Sequence, residues 1–195
     1  MKELFCILFL FLISCNNSNE IKEVEILTYF TSAREFKIYS TTDKSGFTQT
    51  LFRNQESSYI DNCQTRIRKS LMDSIVNICK NKKNENFIFK SSKRIWYCGN
   101  RHAVKVTYEN GEELMFSFPF ANNENKPFIP FQSLLNQIQN DSLNATRLDI
   151  GQYGKLKIKQ EDLSNVIFKK DFMYWKKKAK ITTANSGYKK WRILL

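Results

Sequence analysis

His102-Ala103-Val104-Lys105-Val106-Thr107-Tyr108-Glu109-Asn110-Gly111-Glu112-Glu113-Leu114-Met115-Phe116-Ser117-Phe118-Pro119-Phe120 reads as two strands, His102 to Tyr108 and Leu114 to Phe120, around a turn at Asn110-Gly111. Its register can be derived. A two-residue Asn-Gly loop pairs Val106 with Met115 and puts the two apolar stripes on opposite faces. A three-residue loop, Glu109-Asn110-Gly111 with Gly111 left-handed, pairs Val106 with Leu114 and Val104 with Phe116. The stripes then share one face, so the sequence predicts the three-residue loop and a glycine bulge.

Upstream the same alternation recurs. Val24 to Phe30 places Val24, Ile26, Thr28 and Phe30 on one face and Leu27 and Tyr29 on the other. Phe36 to Ser40 reads as a second strand, with Phe36 and Ile38 opposed to Lys37 and Tyr39. A turn cluster at Thr42-Asp43-Lys44-Ser45-Gly46 leads into a third, Phe47 to Arg53. These three form an antiparallel meander. Phe87 to Phe89 and Arg94 to Cys98 are further short candidates.

Asp61 is expected to open the main helix, with Gln64 completing a capping box. Cys63, Ile67, Leu71, Ile75, Ile78 and Cys79 follow at helical spacing, up to a basic end at Lys80-Asn81-Lys82-Lys83. On such a helix Cys63 and Cys79 stand about 24 Å apart and cannot bond to each other. A disulfide would need Cys98, and the plainer alternative makes both helix cysteines small core residues. Asn122 to Pro127 is a loop, and Pro130 opens a helix to about Asn140 with Phe131, Leu134, Leu135 and Ile138 inward. Arg147 to Ile150, Lys155 to Lys159, Lys178 to Thr183 and Tyr188 to Leu195 read as extended. Gln160 to Lys170 reads as a helix with Leu163, Val166 and Ile167 inside. The fold class expected is α+β, an antiparallel sheet with one dominant amphipathic helix packed across it and shorter C-terminal helices.

The N-terminus carries a different message. Lys2 precedes the apolar run Leu4 to Ile13, then Ser14, Cys15 and the polar Asn16-Asn17-Ser18-Asn19-Glu20. Ten apolar residues fall short of the roughly 20 that a spanning helix needs. A positive start, a short apolar core and an abrupt polar switch form the layout of a secretory signal. Leu12-Ile13-Ser14-Cys15 resembles the lipobox of bacterial lipoprotein precursors. That resemblance covers the leader alone. It implies removal of residues 1–14, acylation of Cys15 and attachment to the cell envelope, in the outer membrane of a Gram-negative cell. Two or more acyl chains hold a protein stably where one does so only marginally. The organisation expected is a signal peptide over 1–14, a lipidated N-terminus and tether over 15–23, a main domain over 24–140 and a basic, aromatic extension over 141–195 packed on the same domain.

The net charge is +12, with 16 Phe, 8 Tyr and 3 Trp. In a cytosolic chain this charge would suggest nucleic acid. An exported chain meets lipid headgroups, acidic glycans and envelope proteins instead, so no nucleic-acid partner is expected. The alternative is a solvated, lysine-rich surface. Residues 169–192 supply eight of the twelve charges. There Trp175, Lys176, Lys177, Lys178, Lys189, Lys190, Trp191 and Arg192 form a candidate surface for an acidic ligand. The competing reading is two amphipathic strands with lysines outside and tryptophans in the core.

Chemistry is sparse. His102 is the lone histidine and Cys98 lies four residues before it. A Cys98/His102 nucleophile and base is one alternative, with no third orienting residue indicated. A zinc site from Cys63, Cys79, Cys98 and His102 fails on spacing. Glu112-Glu113 and Glu161-Asp162 read as solvated pairs at a turn and a helix start. No phosphate loop or hydrolase motif is present, and no cofactor or metal is expected. Asp141-Ser142-Leu143 resembles the Asp-Ser/Thr-aliphatic O-glycosylation motif of Bacteroidetes envelope proteins, and Asp73-Ser74-Ile75 matches it too. The function expected is a non-enzymatic, membrane-anchored binding or interaction module. The alternatives are an inhibitor or immunity-type lipoprotein that neutralises an envelope toxin or hydrolase, and an enzyme using Cys98 and His102.

Overall fold

The structure, a computed structural model, describes residues 20–30, 35–53, 60–80, 99–119 and 128–185, with side chains to residue 170 in the last span. Among these residues the chain is α+β. Strands β1 (Ile21–Phe30), β2 (Glu35–Asp43), β3 (Phe47–Arg53), β4 (Ile60–Arg66), β5 (Asn100–Tyr108) and β6 (Glu113–Phe118) form one antiparallel sheet in the order β4-β3-β2-β1-β5-β6. Helices α1 (Lys69–Lys80) and α2 (Ile129–Asp141) pack on one face. A 3₁₀ turn (Ser142–Asn144) leads to α3 (Ile150–Asn185), whose first half covers the other face.

The β5–β6 hairpin has the derived register, Val106 opposite Leu114 and Val104 opposite Phe116. Gly111 has φ +84°. Its N–H donates to the Tyr108 carbonyl at 3.0 Å, and the Tyr108 N–H donates to the Glu112 carbonyl at 2.9 Å. Val104, Val106, Leu114 and Phe116 therefore join one core with Val24 and Ile26 from β1, Met72 and Ile75 from α1, and Phe131 and Leu134 from α2. Phe128 stacks on Phe118 with ring centroids 4.8 Å apart and seals the entry to α2.

The second core lies under α3. Leu27, Tyr29, Tyr39, Leu51 and Ala103 meet Leu148, Leu156, Leu163 and Ile167. Phe36 belongs here, against the expected pairing of Phe36 and Ile38 on one face. A bulge between Thr28 and Tyr29 on the β1–β2 ladder puts Tyr29 opposite Phe36 and Thr28 opposite Ile38. The extra residue, Lys37, reverses the alternation, as a one-residue insertion must. Its ammonium sits 5.5 Å from the Phe30 ring.

Three other expectations are corrected. The helix expected from Asp61 begins at Lys69, because Ile60–Arg66 pairs with β3, Thr50 opposite Cys63. Only Cys63 is buried along β4, so the strand shows no alternation of its own. Asp61 accepts its neighbour's N–H, from Asn62 at 2.8 Å, and caps no helix. With Cys63 on a strand, the 24 Å separation from Cys79 no longer follows. Second, the segments read as extended at Arg147 to Ile150, Lys155 to Lys159 and Lys178 to Thr183 are not strands. Gln64 bridges to Thr146, and α3 runs from Ile150 to Asn185. The reciprocal cap is at its start: the Gln152 N–H donates to the Asp149 carboxylate at 2.7 Å, and the Asp149 N–H donates to Gln152 Oε1 at 3.2 Å. Third, Val166 is 39% exposed whereas Leu163 and Ile167 are buried. The strands expected at Phe87 to Phe89 and Arg94 to Cys98, the Asn122 to Pro127 loop and the Tyr188 to Leu195 stretch lie outside the described residues.

At 1.5 Å per residue α3 is about 54 Å long, more than a ten-residue strand spans. No helix among the described residues is long and apolar enough to cross a membrane.

Candidate functional site

The face of β1 beneath α3 is half apolar and half charged. Leu27 and Tyr29 supply the apolar half. Glu23 and Glu25 continue it toward the start of the strand. Across the sheet Glu25 stands in one row with Lys105, Thr41 and Gln49. Glu25 is 4% exposed. Burying a carboxylate is costly unless hydrogen bonds and an opposite charge replace water, and both are present. The Tyr39 hydroxyl donates to Glu25 Oε2, and Lys105 Nζ lies 3.2 Å from Oε1. The same ammonium lies 3.0 Å from Glu113. From α3, Lys159 grips both oxygens of Glu23 at 2.7 and 2.9 Å.

Glu23, Glu25, Lys105, Glu113 and Lys159 line an open cleft of about 640 Å³ between the sheet and α3, where Asp162, Leu163 and Val166 also contribute. Its chemistry is that of a clasp. Burial first, then the charge of Glu25, pushes the Tyr39 phenol far above its ordinary pKa, so it remains a donor. Burial pulls the Lys105 ammonium down. The hydrogen bond to Glu113 and the charge of Glu25 outweigh that effect and hold it above the usual lysine value. Among the described residues that line the cleft there is no Ser, Cys or His.

His102 serves the other core. It is 7% exposed, with Nδ1 2.9 Å from the Thr28 hydroxyl and its ring 5.2 Å from Phe118. Burial lowers its pKa to about 4, so the ring is neutral at pH 7. Cys98, its expected catalytic partner, lies outside the described residues. Cys63 and Cys79 are both buried. Burial and the nearby Asp61 charge push the Cys63 thiol up to about 11, away from nucleophilic chemistry. Among the described residues no His, Cys, Asp and Glu side chains gather in a way that could hold a metal ion.

The basic, aromatic set is only partly within view. Trp175, Lys176, Lys177 and Lys178 belong to the backbone of α3, but their side chains, like the whole of Lys189, Lys190, Trp191 and Arg192, lie outside the described residues, as does Cys15. Lys169 and Lys170 are exposed. Glu161-Asp162 falls in mid-helix instead of at a helix start. The two Asp-Ser-aliphatic matches separate clearly. Leu143 is 88% exposed on the 3₁₀ turn, whereas Ile75 is fully buried in α1.

The charged cluster around Glu25 is not among the sites expected from the sequence. A signal existed: Glu23 and Glu25 alternate with Val24 and Ile26 in a strand whose other inward face continues as Leu27 and Tyr29. Acidic residues at inward positions of a strand buried on both faces require partners. No known protein family matches the chain, and no curated protein matches it in sequence.

Proposed function

We propose that this chain is a lipid-anchored envelope protein whose folded α+β domain acts as a non-enzymatic binding or interaction module. The observation that carries the reading is the leader, Leu4 to Ile13 followed by Ser14-Cys15 and an abrupt polar tether. Acyl groups on Cys15 would hold the protein at the membrane, and the tether would present the domain to the aqueous side. Trp175, Lys176, Lys177, Lys178, Lys189, Lys190, Trp191 and Arg192 would add attraction to an acidic ligand or headgroup. The non-enzymatic part is supported by His102, which is buried, neutral and committed to Thr28. It is also supported by the main cleft, whose charged groups neutralise one another.

Membrane fractionation of the wild-type chain and of Cys15→Ala in a bacterial host tests the anchor. The wild type is expected in the membrane fraction and labelled by radioactive palmitate. The variant is expected unlabelled and soluble, with an unchanged melting temperature. A Cys15→Ala chain that stays wholly with the membranes would sink the reading.

A further inference from the structure

We draw no further inference here: the strongest candidate, the buried guanidinium of Arg101 near the start of β5, is held by the Ser117 hydroxyl at 3.5 Å and keeps an Nε without a partner among the described residues, but that Nε is enclosed and nothing in the structure shows what ligand would reach it.

Discussion

The Tyr39 hydroxyl donates a hydrogen bond to the Glu25 carboxylate, 14 residues earlier and one strand away, inside a layer that α3 closes from above. Glu25 is 4% exposed beneath α3, so Tyr39 and Lys105 replace most of its hydration. Tyr39→Phe keeps the ring and removes the donor. A loss of about 1.5–3 kcal/mol is expected, in line with a hydrogen bond to a charged group. Urea denaturation measures it. A change below a few tenths of a kcal/mol would show that Lys105 alone suffices.

His102 makes the fold sensitive to acid. Its folded pKa, about 4, lies below the unfolded value of about 6.5. Between those values the unfolded chain binds the proton and the folded chain does not, so stability falls as pH drops. The contribution is fully present above about pH 6.5 and is lost progressively toward pH 4, by about 3 kcal/mol in all. Carboxylates titrate nearby, so the readout is the difference between the wild type and His102→Gln. The variant is expected to show a shallower stability slope from pH 6.5 to 4.5, and parallel slopes would rule the histidine out.

Gly46 and Gly111 both have left-handed backbones, but their surroundings differ. A Cβ at Gly111 would meet nothing within 4 Å, whereas one at Gly46 would lie 2.8 Å from the Ile67 carbonyl. Gly111→Ala is expected to cost about 1 kcal/mol from backbone strain alone. Gly46→Ala should cost more, because the Ile67 N–H also donates to the Gly46 carbonyl at 2.8 Å and the two segments cannot separate freely. Paired thermal melts decide the order, and equal costs would contradict the contact.

Asp149, not Asp61, caps a helix. Asp149→Ala is expected to lose about 1 kcal/mol and some helical ellipticity. Asp61→Ala, which gives up a half-exposed hydrogen bond from the Asn62 N–H and a loose 3.7 Å approach to Arg147 on the surface, should cost less, about 0.5 kcal/mol. A larger effect at Asp61 would restore the helix that its sequence position suggests.

Cys63 should be inert in the native state. Burial with a thiol pKa near 11 leaves little thiolate at pH 8. Residue-resolved mass spectrometry after brief maleimide treatment should find Cys63 unmodified until denaturant is added. Prompt native labelling would mean that the edge strand β4 opens readily.

Local chemistry alone was enough to specify the meander of β1 to β3, the register and loop of the β5–β6 hairpin, and α2 with its inward Phe131, Leu134, Leu135 and Ile138. Each is set by side-chain alternation, helical spacing, or a glycine or proline whose backbone has few options. Tertiary structure decided the rest. It made 60–66 a strand, because pairing with β3 and the Leu148 N–H held by Asn62 at 2.9 Å outweigh a chance helical spacing. It made 150–185 one helix, since the periodic contacts of Leu156, Leu163 and Ile167 exist only once the sheet is beneath them. It sent Phe36 to the opposite core through a bulge that no local pattern marks. It also brought Glu23 to Lys159 across 136 residues, a pairing that depends on where two surfaces meet and so cannot be read from either segment alone.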